Sequence, residues 1–398
     1  MAYHMDFQRH NEEVRALWAG YREGKPTRVP VQWHMNSRMW LLNPRLNTKG
    51  YTFQDYYRRP EVALEVELEF TKWRRTEVME DTHKGLPEKW HVNMCGQNVL
   101  GAGWLGSKIV FRENAVPHVE PGLLAEKDAL KDAEIPDVRA RDMRYAWEFR
   151  DYCLDQIKKG YEFEGRPLAG VGYPGVEPPM TLAYLLRGST QFLIDLCEDA
   201  DYFRRLMTYA TDAYLTFTRK VHEWQGVKEK PRQGGFSDDA IELISVAHFN
   251  EFVYPHHKRV LDALYDGGPF CYHLCGRAQH QFRNLRDRLN VWAFDTGFPT
   301  DLGKARKELG PAVTLWGNIH VATLQYGTKD EITDAVRKIL DSGVMHGGRF
   351  VFGDGNNVAE RTPEENLNHC YEVVKDLGAY RQDQYVEHLE PKYYPYAG

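Results

Sequence analysis

The stretches Pro269-Phe-Cys-Tyr-His273, Val291-Trp-Ala-Phe294, Ala312-Val-Thr-Leu-Trp316 and Arg349-Phe-Val-Phe352 decide the fold. Each is an apolar run long enough for a strand and too short for a helix. Amphipathic stretches of helical length separate them, and this alternation, from about residue 230 onward, is the pattern of βα units on a parallel sheet. The expected fold class is α/β: a (β/α)8 TIM barrel forming one domain over residues 1–398. Helix starts support the reading. Thr328-Lys-Asp-Glu331 and Thr362-Pro-Glu-Glu365 each place a hydroxyl three residues before a carboxylate, and the second adds Pro at the first helical position. After Thr328, the positions Ile332, Val336, Ile339 and Leu340 form an apolar stripe that must pack on the sheet.

The first half is less regular. Val29–Trp33 and Pro167–Val171 read as strands, and Gln54–Arg75 and Thr181–Glu198 as helices. Residues 93–119, rich in Gly and Val, fit neither pattern and are expected to be an inserted loop or hairpin over the barrel mouth.

Composition narrows the function. Hydrophobic residues make up 42% and charged residues 27% of 398, which suits a large core rather than a disordered chain. A formal charge of −6 without a basic stripe argues against nucleic acid as a partner. The sequence has no basic-then-apolar leader and no apolar run near membrane-spanning length, so a cytoplasmic, membrane-free protein is expected. The six cysteines are too sparse for a disulfide scaffold and are expected to be reduced thiols.

In such a barrel the polar residues at C-terminal strand ends build the active site. They are Ser237-Asp238-Asp239, His273-Leu-Cys275-Gly276, Asp295, Gly317-Asn318-Ile-His320 and Gly353-Asp354-Gly355. A strand's period of two turns His273 and Cys275 to one face, where imidazole and thiolate together suit zinc; the alternative is a hydrogen-bonded histidine beside a buried cysteine. Asp354, between two glycines, is either a third ligand or a turn residue. Asp238, Asp239 and Glu242 could supply a fourth ligand or acid/base chemistry, or could cap helices. The segment Asp81-Thr-His83-Lys-Gly85 reads as a loop, His256-His257 as adjacent helix residues facing different ways, and Tyr393–Tyr396 as a docked terminus.

These strand ends, with Arg28-Val-Pro-Val31, Pro178–Gly188, Phe252-Val-Tyr-Pro255, Trp316-Gly-Asn318 and Thr362-Pro-Glu-Glu-Asn366, resemble the uroporphyrinogen decarboxylase superfamily, which includes zinc- and corrinoid-dependent methyltransferases. The resemblance implies a substrate bound in the C-terminal mouth. Decarboxylases of the family carry an Arg-Gln-Ala-Gly-Arg segment after the first strand, where this chain has His34-Met-Asn-Ser-Arg38 and keeps only Arg38. Fewer guanidinium forks argue against a substrate bearing many carboxylates. The methyltransferase branch binds zinc through His-x-Cys and a later cysteine. Here the resemblance implies zinc on His273, Cys275 and Asp354, the last standing where that branch has cysteine.

A carboxylate in place of a thiolate leaves a harder ion, suited to stabilising the oxygen that departs from a methyl ether. The implied activity is the first step of an O-demethylase system, moving a methyl group from a methoxylated donor, aromatic or otherwise, to a separate corrinoid protein. Trp33, Arg38 and Asn318 are the expected substrate contacts, and Asp238, Asp239 and His320 the expected proton donors. The alternatives are a metal-free decarboxylase and a non-catalytic binding protein on the same barrel.

Overall fold

The computed structural model describes residues 6–390 and 392–393. The stretches that announced the fold become parallel strands in one five-stranded sheet, with Gly234–Ser237 pairing Phe270–Leu274, then Val291–Thr296, Thr314–Ile319 and Phe350–Asp354 in spatial order. Helices Gln279–Leu289, Leu302–Leu309, Lys329–Ile339 and Glu364–Leu377 return the chain between and after them. The wall continues onto Val29–Trp33 through a parallel bridge from Phe352 to Val31. Asp81 then donates its backbone N–H to Val31 O at 2.7 Å, while Trp90–Val92 runs parallel to Arg166–Val171. Strands and helices together form the expected (β/α)8 barrel around one large apolar core.

Local chemistry explains most boundaries. Thr328 forms its capping box with Glu331, and Ile332 and Val336 are buried beneath that helix. The box expected at Thr362 does not form. Its helix starts one residue later, at Glu364, and the Thr362 hydroxyl donates instead to Ala359 O at 2.8 Å. The helix expected over residues 54–75 is two, Phe53–Arg58 and Pro60–Glu77, because Pro60 begins a new helix more readily than it continues one. The stretch 181–198 also divides, at Gly188, whose φ of 80° leaves the helical region. The stretch expected over 93–119 holds the helix Leu100–Trp104 and an antiparallel hairpin of Lys108–Val110 with His118–Glu120, one residue past its end. No helix among the described residues is long and apolar enough to cross a membrane.

Buried charge closes the barrel seam. Asp81 accepts both nitrogens of the Arg28 fork, at 2.7 and 2.6 Å, and the Val31 N–H at 2.7 Å. Beside it, Glu80 accepts from Arg74, Lys84 and the Trp33 N–H. Burial opposes ionisation of Glu80, but the two cations hold its carboxyl far below the ordinary range, while burial pulls Lys84 down to about 8. The segment 81–85 is thus a loop, as expected, and one that locks the first barrel segment. Removing one partner of such a pair strands the other charge, so Asp81→Ala is expected to lower stability by about 3–5 kcal/mol, read as a fall in the denaturant midpoint.

Candidate active site

Parallel register brings the site together. Ser237, His273, Asp295 and Trp316 are successive partners across four adjacent strands. Along Phe270–Leu274, Phe270, Tyr272 and Leu274 are buried in the core, while Cys271 and His273 take the other face. Period two then carries Cys275 to the same side as His273. Just beyond its strand, the Asp239 carboxylate accepts the Cys275 N–H at 2.9 Å and lies 3.9 Å from His273 Nε2. One ligand atom from each of Asp239, His273 and Cys275 falls within 4.8 Å of the others. Gly276 makes the bend possible: its φ is 89°, and a Cβ there would meet the Glu242 carboxylate at 2.1 Å. Glu242 serves this loop, accepting the Arg277 N–H at 2.7 Å.

Behind His273 runs a chain of alternating carboxylates and imidazoles. Its Nδ1 lies 2.5 Å from Asp295 Oδ2, and the same oxygen is 3.2 Å from His34 Nε2. Asp354 accepts the His34 backbone N–H at 2.8 Å and faces the His34 ring at 3.7 Å. Burial disfavours charge on His273, yet Asp295, Cys275 and Asp239 raise its pKa well above the ordinary value; burial raises the Cys275 thiol against the pull of His273.

In front of Asp239 opens a cavity of about 540 Å³, lined at the barrel mouth by Asn36, Arg38, Asn93, Glu177, Tyr214 and Ser237 among others. Met94, Leu100, Val116 and Val176 supply apolar wall. Arg38 is the one lysine or arginine among the residues lining it. Burial pushes the Glu177 carboxyl up to about 7 against the backbone N–H groups of Ala102 and Gly101.

The expected site residues separate. His273 and Cys275 converge, and Asp239 joins them where Asp354 was expected. The Asp354 carboxylate is fully buried against His34 and lies outside the group of three. Asp238, one of the expected proton donors, stands at a helix end. It is fully buried and accepts the N–H groups of Met180 and Thr181, the Thr181 hydroxyl and a contact from His257 Nε2 at 2.7 Å. It thereby caps the helix Pro179–Arg187 from another segment. Its partner's neighbour, His256, bonds Thr211 instead, so the two histidines do face apart.

Trp33, expected at the substrate, is buried in the core with its indole N–H on Met79 O at 2.8 Å. Asn318 ties its strand to the loop after Thr296 by donating to Gly297 O and Thr300 O. Arg38 does line the cavity. His320 packs on Phe298 with ring centroids 4.2 Å apart. Tyr393 is docked, its carbonyl accepting from Arg349, and Tyr394–Tyr396 lie outside the described residues. Sequence reading missed His34 and Glu177. Only the placement of His34 just past the first strand could have flagged it.

Comparison with known proteins agrees with this architecture. The family profile described as uroporphyrinogen decarboxylase (URO-D) matches residues 99–377, more than half of the chain. The chain therefore belongs to the uroporphyrinogen decarboxylase family. Among its relatives is the uroporphyrinogen decarboxylase of Geobacter metallireducens, 27% identical over 57% of this chain and 65% of that protein. Another is the methylcobamide:CoM methyltransferase MtbA of Methanosarcina mazei, 27% identical over 56% of this chain and 62% of that one. The chain thus spans under two thirds of the length of these curated relatives. A solved methyltransferase from Methanosarcina mazei superposes with a TM-score of 0.63 over 92% of this chain and 98% of that one, at 19% identity, which is a likeness of fold.

The two neighbouring aspartates should separate experimentally. Asp238→Ala is expected to cost about 3–5 kcal/mol, because the helix end and His257 lose a buried acceptor. Asp239→Ala, at the half-buried cavity wall, should cost less than about 1.5 kcal/mol. Urea unfolding of both variants measures the difference.

Proposed function

We propose that this chain is a zinc-dependent methyltransferase that passes a methyl group from a methoxylated, monoanionic substrate to the reduced cobalt of a separate corrinoid protein. The convergence of His273 and Cys275 on Asp239, itself a lining residue of the mouth cavity, carries the reading. The donor set fits: one imidazole, one thiol and one carboxylate match zinc's preferences, and three protein ligands leave a position for substrate. Tetrahedral zinc holds its ligand atoms roughly 3.5 Å apart, so the observed spread of up to 4.8 Å asks for a small inward movement. In this reading Asp239 is the third ligand, and Asp354 acts one step further back.

When bound, zinc supplies Lewis acidity to the ether oxygen that loses the methyl group. The remaining work falls to the chain. Arg38, with Asn36 and Asn357 at the same wall, orients an acidic group of the donor, while Met94, Leu100, Val116 and Val176 hold its apolar body. The bond from oxygen to methyl breaks with its electron pair left on oxygen, and the methyl carbon bonds to Co(I). The departing oxygen then takes a proton, which we assign to Glu177. Buried in a wall shared with Arg38, Cys95, Tyr214 and Asp239, its carboxyl is substantially protonated at neutral pH. His320, tilted against Phe298, is given no part in the reaction.

The similarity to MtbA, whose name declares a methylcobamide substrate, supports a corrinoid partner. Relatives named decarboxylases favour the other chemistry, but a wall with Arg38 as its one cation and the Asp239 carboxylate beside it is a poor cradle for a polyanion. Six free cysteines are consistent with a cytoplasmic location, and we treat the chain as one domain.

Elemental analysis is expected to find one zinc per chain in wild type and in Asp354→Asn, and none in Asp239→Ala, His273→Ala or Cys275→Ala. Mixed with a Co(I) corrinoid protein and a panel of methoxylated acids, the wild type should convert the Co(I) absorption to that of methylcobalt. Decarboxylation of a porphyrinogen by metal-free protein would overturn the proposal.

The Glu177 assignment fixes the sign of the pH dependence. The acid form is present below its pKa, so single-turnover methyl transfer should fall about tenfold per unit as pH rises above about 7. Glu177→Gln should lower the rate about 10²-fold or more and flatten that limb.

A further inference from the structure

Imidazole can bind a metal through either nitrogen, and its other partner decides which. For His273 that partner is Asp295. Its Oδ2 lies 2.5 Å from His273 Nδ1, in a wall position fixed by strand register. The ring nitrogen left over, Nε2, is the one directed toward Asp239 at 3.9 Å. Asp295 is itself held. His34 Nε2 reaches the same oxygen at 3.2 Å, and the His34 ring is wedged against Trp316 with centroids 5.3 Å apart. The His34 backbone N–H in turn is bonded to buried Asp354. Four side chains from four barrel segments thus stand in one line, and the carboxylate nearest the metal group is held from two sides.

We propose that Asp295, backed by His34 and Asp354, is a positioning residue that fixes His273 with Nε2 presented to the metal. This rests on the zinc reading above. A carboxylate on the far nitrogen both orients a ligating imidazole and increases its basicity, and loss of such a partner lowers metal affinity roughly 10- to 100-fold. It also gives Asp354 a role that its position outside the ligand group otherwise lacks.

The test is zinc affinity by competition with a chromophoric chelator, together with the visible spectrum of the Co(II)-substituted protein. Asp295→Ala is expected to weaken zinc binding roughly 10- to 100-fold and to shift the cobalt bands. Asp295→Asn, whose amide oxygen can still accept from Nδ1, should weaken it less, and His34→Ala should fall between Asp295→Asn and wild type. Thermal melting of the metal-free variants guards against a purely structural effect. A lowered melting temperature with wild-type zinc affinity and wild-type cobalt bands would overturn the inference. Should Asp295→Ala fail to fold, unchanged affinity in both Asp295→Asn and His34→Ala would overturn it equally. If the wild type binds zinc and these variants match it, the positioning role alone falls; if the wild type takes up none, the zinc reading falls with it.

Discussion

Parallel strand register is the constraint on which this site depends. Adjacent parallel strands place their residues in fixed rows, and here one row runs Ser237, His273, Asp295, Trp316. A slip of one residue between Phe270–Leu274 and Val291–Thr296 would put His273 and Asp295 on opposite faces. The apolar residues that alternate with them, Tyr272 and Leu274 on one strand and Leu315 on another, are fully buried and resist that slip. The hydrophobic core therefore sets the chemistry indirectly, by making every other register costly.

A second constraint fixes the segment that carries His34. Its backbone is gripped on both sides: the Trp33 N–H donates to Glu80, the Trp33 carbonyl accepts from Arg74 at 2.8 Å, and the His34 N–H donates to Asp354. Glu80 and Arg74 are two members of the buried charge network at the seam. That network costs desolvation, and its return is a backbone held rigidly where the first strand meets the mouth. Rigidity there matters because His34 reaches Asp295 through a single ring contact of 3.2 Å.

The fold was legible where periodicity was strong. The late strands announced themselves as short apolar runs, and each proved to extend one to three residues further toward the mouth, so that Asp295, Asn318 and Asp354 lie within strands rather than in loops. Breaks in the first half were readable only in part: Pro60 and Gly188 were visible as residues, but their effect depends on the packing of flanking helices. The site was half legible. His-x-Cys followed from the period of a strand. Asp354 could not be told from Asp239 as its companion, because sequence gives which residues reach the mouth and not which side of a strand end each occupies.

The Asp238-Asp239 pair shows what decides such cases. Both lie just past the strand Gly234–Ser237, where Asp238 precedes a short 3-10 turn and Asp239 opens it, and the two chemically identical carboxylates end in different environments. Asp238, with φ −118° and ψ 70°, goes inward to the helix end at Met180 and Thr181, where it accepts three hydrogen bonds and meets His257. Asp239 goes to the cavity, where burial raises its pKa and the approach of His273 lowers it again. One carboxylate is consumed in building the wall and the other is left at its surface, a division made by a single peptide unit. Asp354, on the far strand of the same sheet, is wholly buried with one oxygen on the His34 backbone N–H, so its place too is set by what its own backbone neighbours offer.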